Sequence, residues 1–83
     1  MTVVRVYTKD RCVQCDMSKR LMKRLGIEYV EEDATDAGNL AAFKELGFLA
    51  APVVAVGGSR DDMWSGFQPD RIKEIAARIK EEK

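Results

Sequence analysis

Cys12 and Cys15 are the residues with the most versatile chemistry in this chain, and Val13 and Gln14 between them give a C-x-x-C spacing. Four chemistries compete for such a pair. A structural disulfide closing so short a loop removes little entropy from the unfolded chain and stabilises weakly. Tetrahedral zinc wants about four ligands, whereas the chain offers two thiols and no histidine, so a metal or iron–sulfur site needs a dimer or an exogenous thiol to complete it. Two free thiols can also be inert core residues. Redox exchange is the fourth, and the flanking sequence suits it: the pair falls between a β-like run and a helical pattern, where helix amides and the positive end of the dipole stabilise a thiolate.

Position divides the labour. Cys12 falls at the exposed start of the helix, with free backbone N–H groups near its sulfur, while Cys15 lies a turn inside and is more shielded. Cys12 is therefore the expected attacker on a client disulfide, and Cys15 the thiol that resolves the mixed disulfide and releases the client reduced. Lys9 and Arg11 would lower the Cys12 pKa further, and Asp10 and Asp16 would oppose them. The helix terminus is the safer cause.

The elements that must hold the pair follow from periodicity. Val3 to Tyr7, rich in β-branched and aromatic residues, reads as a first strand, and Thr8-Lys9-Asp10-Arg11 as a loop. From Val13, the apolar residues Met17, Leu21, Met22 and Leu25 recur at helical spacing, with Gly26 where a left-handed cap is wanted. Ile27, Tyr29 and Val30 begin a second extended run ending in Glu31-Glu32-Asp33. Asp36 then offers an N-cap to a helix carrying Leu40, Phe43 and Leu46 and closed by Gly47. Val53 to Val56 reads as a buried strand entered through Pro52, and Gly57-Gly58 as the turn to a short strand near Met63-Trp64. Pro69 starts a last helix with Ile72, Ile75, Ala76 and Ile79 on one face and Lys73, Glu74, Arg78 and Lys80 mostly on a solvated one. The order is β-α-β-α-β-β-α, with the first two strands parallel and the last two antiparallel.

Bulk properties bound the partners. At 83 residues and 46% hydrophobic composition, the chain is long enough for one core and too short for two, so residues 1–83 are expected to form a single domain. Fourteen basic residues balance fourteen acidic ones, so no chain-wide field attracts nucleic acid or anionic lipid. The apolar stretch after Met1 is too short for a signal peptide or a membrane span, and two cysteines so close together are not the framework of a secreted miniprotein. A cytoplasmic location is expected, and no bound cofactor.

Two further segments stand out. Ala51-Pro52 precedes the third strand, where a proline either opens the strand or carries a cis bond. Trp64-Ser65-Gly66-Phe67 joins the only tryptophan to a phenylalanine through two small residues. Core packing is the commoner role for such aromatics, and Gly66 suits a tight turn before Pro69.

With these residues and this element order, the chain resembles the thioredoxin fold in its minimal, glutaredoxin-like form, an α/β fold with a four-stranded mixed sheet flanked by three helices. Cys-Val-Gln-Cys, Ala-Pro-Val-Val and Trp-Ser-Gly-Phe-Gln-Pro-Asp together resemble NrdH-type redoxins. The resemblance implies a cis Ala51-Pro52 bond facing the cysteines, with Val13, Gln14, Ala51 and Pro52 meeting the partner. It assigns Lys9, Trp64, Ser65, Gly66 and Phe67 to shaping the site. It also implies re-reduction by an NADPH-dependent thioredoxin reductase and delivery of electrons to the large subunit of a class Ib ribonucleotide reductase. Glutathione is the alternative reductant: Gly57-Gly58 with Asp61-Asp62 is similar to the region where glutaredoxins hold its amino-acid end, and Lys9 resembles a glutathione-contacting lysine.

Overall fold

The computed structural model describes residues 2–82. The strands β1 (Val4–Thr8), β2 (Val30–Asp33), β3 (Val53–Val56) and β4 (Met63–Ser65) and the helices α1 (Val13–Arg24), α2 (Ala37–Glu45) and α3 (Pro69–Glu81) follow in the order β1-α1-β2-α2-β3-β4-α3. They form one sheet in the order β2-β1-β3-β4, with β1 parallel to β2 and antiparallel to β3, and β3 antiparallel to β4. This is the α/β arrangement, a four-stranded mixed sheet with three helices, that the resemblance implies.

Alternation along β1 sends Val4 and Val6 to one face and Arg5 and Tyr7 to the other. The Val4 face, with Val54, Val56 and Trp64, packs on Met22 of α1 and on Ile72 and Ile75 of α3 to make the main core. The opposite face is covered by α2, whose Phe43 ring meets Tyr7 edge-on at a centroid distance of 4.8 Å. Both α1 and α2 end in the same way. Gly26 and Gly47 take positive φ, their N–H groups bond to the carbonyls of Lys23 and Lys44, and the next residues, Ile27 and Phe48, bond to Met22 and Phe43. These bonds satisfy helix carbonyls that would otherwise be orphaned and bring Ile27 down onto Met22 in the core. The Asp36 carboxylate caps α2 by accepting from the Asn39 N–H at 3.2 Å.

Four details differ from the sequence expectation. β1 runs one residue later than Val3–Tyr7, because the Thr8 carbonyl accepts from Ala34 N–H and Thr8 stays in register with Asp33. Ile27 and Tyr29 lead into β2 and are not part of it, since the Ile27 N–H is committed to the α1 terminus. On α1 the buried stripe runs through Cys15, Ser18 and Met22, leaving Val13, Met17 and Leu25 exposed; rotating the second cysteine into the core carries Val13 and Met17 outward. Finally, the turn that Gly57-Gly58 begins is longer than the glycine pair alone. Ser59 caps a 3-10 turn at Arg60–Asp62, and Arg78 reaches back to clasp Asp62 at 3.1 and 3.3 Å, so this charge of α3 serves a loop contact and not only a solvated face.

The edge strand β2 is exposed along its length, and its Glu31, Glu32 and Asp33 discourage pairing with another sheet edge. Glu31 also ties β2 to its neighbours: it accepts from the Thr8 hydroxyl at 2.8 Å and from Lys19 of α1 at 3.2 Å. These partners, the Thr8 hydroxyl foremost, hold its carboxyl below the usual glutamate range.

Ile72→Ala is expected to lower the unfolding free energy by about 2–4 kcal/mol, and Lys73→Ala to change it by under about 0.5 kcal/mol, both measured by chemical denaturation. A carboxyl whose pKa is depressed by folding stabilises above its unfolded value and loses that contribution as pH falls through its folded value. The stability gap between the parent protein and Glu31→Gln should therefore narrow as pH drops below the ordinary glutamate range in denaturation series across acidic pH.

Candidate active site

The loop that leaves the buried end of β1 turns sharply at Arg11, whose φ of 57° lies in the left-handed region, a conformation that costs a non-glycine residue about 1 kcal/mol. That turn delivers Cys12 as the N-cap of α1, with extended backbone and its side chain directed at the helix start. The Cys15 N–H donates to the Cys12 sulfur at 3.1 Å. The sulfur thus stands where a serine or aspartate oxygen caps an ordinary helix, facing N–H groups that the helix leaves unpaired.

Cys12 and Cys15 are joined as a disulfide, with Cα atoms 5.2 Å apart. Cys15 is buried at 1% relative exposure, on the inward stripe of α1. Cys12, expected at an open helix start, retains only 9%. The cause is the loop ahead of β3, whose Ala51 carbonyl oxygen lies 3.7 Å from the Cys12 sulfur. The order of exposure expected for the pair holds, but the outer sulfur is reached through a narrow opening. Val13, beside it, is 72% exposed.

The Ala51–Pro52 bond is cis and Pro52 is buried. The Pro52 carbonyl accepts from the Gly66 N–H at 2.8 Å, which ties the end of β4 to the start of β3. Gln14, read from sequence as a partner contact, sends its side-chain oxygen to the Phe67 N–H at 2.9 Å. Gly66 makes room for it: φ there is +81°, and a Cβ would sit 3.3 Å from that oxygen. The Gln68 amide adds a bond to the Ser65 carbonyl at 3.0 Å. Residues 12–15, 51–52 and 65–68, far apart in sequence, are thereby braced together.

Trp64 points away from this brace. It is buried in the main core, with Arg71 of α3 over its ring at 4.9 Å. Lys9 does not pair with either cysteine; it lines a cleft beside Ala51 together with Lys44, Leu40, Phe43, Phe48 and Leu49. Asp16 lies 3.9 Å from Lys19, which offsets part of its charge. The Gly57-Gly58 and Asp61-Asp62 segment stands at the other end of the sheet from the cysteines: the Gly57 N–H bonds to the Val3 carbonyl at the start of β1, whereas Cys12 follows the end of β1.

Lys44, Phe48 and Leu49 were not singled out from sequence. One signal was present, an apolar Phe48-Leu49-Ala50-Ala51 run after the helix-terminating Gly47, in a segment that belongs to no strand.

Comparison with known proteins agrees with this geometry. The family model described as Glutaredoxin matches residues 4–60. The glutaredoxin-like protein NrdH of Salmonella typhimurium is 36% identical over 78 residues, covering 87% of this chain and 86% of that protein. The one from Lactococcus lactis is 33% identical, covering 89% of this chain and 100% of that protein. Among solved structures, the NrdH-redoxin of Escherichia coli, a glutaredoxin-like protein with a thioredoxin-like activity profile, superposes with a TM-score of 0.75 at 34% identity over 87% of this chain and 92% of that one.

The brace makes a quantitative prediction. Gly66→Ala pays both the left-handed backbone cost of about 1 kcal/mol and the crowding against Gln14, while Gln14→Ala loses a hydrogen bond of about 0.5–1.5 kcal/mol. In a double-mutant cycle followed by denaturation, Gly66→Ala is expected to be less costly in the Gln14→Ala background by about 0.5–1 kcal/mol.

Proposed function

The chain belongs to the glutaredoxin family, among its NrdH-type glutaredoxin-like proteins, and on that premise we propose that it carries electrons from an NADPH-dependent thioredoxin reductase to the disulfide of a class Ib ribonucleotide reductase large subunit. It is a thiol–disulfide oxidoreductase. The observation that carries the mechanism is the Cys12 sulfur at the N-cap of α1, 3.1 Å from the Cys15 N–H. In the reduced protein the same N–H favours the thiolate over the thiol, because the bond to the charged sulfur is the stronger one.

The Cys12 thiolate attacks one sulfur of the client disulfide, which forms a mixed disulfide and expels the second client sulfur as a thiolate. Cys15 gives up its proton to that departing sulfur and attacks Cys12, so the remaining client sulfur leaves and the Cys12–Cys15 disulfide closes. Two electrons pass to the client. The reductase returns them by the reverse exchange, and no bound cofactor takes part.

Docking in this reading falls to Val13, which projects beside the disulfide, and to Ala51, whose carbonyl stands over the Cys12 sulfur, with the buried Pro52 next to it. Among the described residues no backbone hydrogen bond engages the amides of Leu49 to Ala51, so an extended client segment can pair there. Gln14, Ser65, Gly66 and Phe67 shape the opposite flank, Trp64 anchors that segment from the core, and Lys9 borders the docking side. A protein reductant is favoured over glutathione by two features. The Gly57 to Asp62 loop is remote from Cys12, and Asp62 is already clasped by Arg78. No helix among the described residues is long and apolar enough to cross a membrane; a single domain acting in the cytoplasm is part of this proposal.

Cys15→Ser should accumulate a covalent complex with the client on non-reducing gels, and Cys12→Ser should lose insulin reduction by about two orders of magnitude or more. Recycling should proceed with NADPH and thioredoxin reductase. Turnover only with NADPH, glutathione reductase and glutathione would overturn the choice of reductant.

A further inference from the structure

Among the described residues of polar or charged type, only Thr8 and Ser18 are buried. Thr8 is accounted for, since its hydroxyl donates to Glu31 at 2.8 Å. Ser18 is not: it is fully buried, and its Oγ has no hydrogen-bond partner. A polar group buried without a partner costs about 1–3 kcal/mol, and in a native structure it calls for a reason. Trp64 Nε1 is also buried and unpartnered, but it stands on the edge strand β4, whereas Ser18 shares the inward stripe of α1 with Cys15.

Ser18 and Cys15 are three residues apart. Positions i and i+3 of a helix lie on one face with Cβ atoms about 5–6 Å apart, and Cα–Cβ bonds tilt toward the N-terminus, which directs the Ser18 side chain at the turn that carries Cys15. A change of staggered well at χ1 brings the hydroxyl and the sulfur into contact. In the oxidised protein the Cys15 sulfur is bonded to Cys12, and a neutral sulfur is a weak acceptor. Resolution of a mixed disulfide requires the same sulfur to become a thiolate while it is 1% exposed, where burial disfavours the charge.

No charged group meets that need. The sheet and α3 present valine, tryptophan and isoleucine side chains to this face of α1, and the Thr8 hydroxyl on β1 is committed to Glu31. Glu31 is itself held by Lys19, which also lies near Asp16 at the outer side of the helix. Arg71 of α3 sits over the Trp64 ring. Lys9, Asp10 and Arg11 of the preceding loop are exposed.

We infer that Ser18 donates a hydrogen bond to the Cys15 sulfur in the reduced protein and assists the step in which Cys15 resolves the mixed disulfide. The inference rests on the redox reading above. As Cys15 passes its proton to the departing client sulfur, the Ser18 O–H turns to the forming thiolate and keeps its own proton. A Cys15 lone pair then makes the bond to Cys12, the bond from Cys12 to the client breaks, and the client sulfur leaves with that electron pair. With the charge gone, the hydroxyl is left unpartnered, as in the oxidised structure. The cost of the unmade bond falls on the oxidised form alone, so Ser18 tilts the equilibrium toward the dithiol.

The test mixes the fully reduced protein with an equimolar aromatic disulfide whose thiolate is coloured. The first thiolate released reports attack by Cys12, and the second reports resolution by Cys15. Ser18→Ala is expected to lower the ratio of the second rate to the first by about five- to tenfold at neutral pH. In buffer well above the ordinary cysteine range the ratio should come within about twofold of the parent's, because the thiol there ionises without a donor. In equilibrium with dithiothreitol, the constant for oxidation should rise about three- to tenfold in Ser18→Ala. Denaturation supplies the structural control: Ser18→Ala should leave the oxidised protein at least as stable as the parent and lower stability only when reduced. A parental ratio at neutral pH, a ratio lowered equally at every pH, an unchanged equilibrium or equal destabilisation of both redox forms overturns the inference. Insulin separates the two levels: if the parent protein reduces it and any of those outcomes holds, only the role of Ser18 is wrong, whereas a parent protein that cannot reduce it removes the redox reading and this inference together.

Discussion

The contact between the Cys12 sulfur and the Cys15 N–H is the constraint around which the site is organised. A helix leaves its first N–H groups unpaired, and here a sulfur fills the position usually given to an oxygen. For that to happen the chain must leave β1, reverse within a few residues and start a helix at one fixed place. The left-handed Arg11, the Thr8 register with Asp33 and the Thr8–Glu31–Lys19 contacts all serve that placement. The pairing is local in sequence, yet its geometry depends on β1 being clamped between β2 and β3.

Around this contact the two flanks are built differently. On one, Gln14, Pro52, Gly66 and Phe67 spend their hydrogen bonds on one another, so the flank is rigid and chemically satisfied. On the other, the amides of Leu49 to Ala51 have no backbone partner among the described residues, apolar side chains are exposed, and lysines line a cleft. Unsatisfied backbone next to exposed apolar surface is unfavourable for an isolated protein and useful for one that docks a client strand. The asymmetry follows from where α2 ends: its Gly47 terminus releases the chain early, and residues 48–51 cross the surface before β3 begins.

Much of this was written in residue patterns. Gly26, Gly47 and Asp36 marked helix ends because each satisfies a specific orphaned group, and those marks coincide with the observed caps. The Ile72, Ile75 stripe on α3 marked one wall of the main core. Patterns failed where a longer-range contact outweighed a local one. The Gly57-Gly58 pair marks the turn between β3 and β4, but the 3-10 turn capped by Ser59 and the Arg78–Asp62 clasp that complete it were not legible there. On α1, apolar spacing counted Val13 and Met17 as inward, whereas the sheet accepts the face bearing Cys15, Ser18 and Met22.

By itself the sequence determined the chemistry and the element order: a C-x-x-C pair at a strand-to-helix junction, with the first cysteine outermost, follows from spacing and periodicity, which are local properties. Only the tertiary structure decided how the pair is approached. That Ala51 covers the Cys12 sulfur, that Gln14 turns to Phe67 instead of outward, and that Lys9 and Lys44 line one cleft are contacts between segments dozens of residues apart. Such contacts are fixed by sheet register and by which helix face the core accepts, and neither is encoded in any one stretch of the chain.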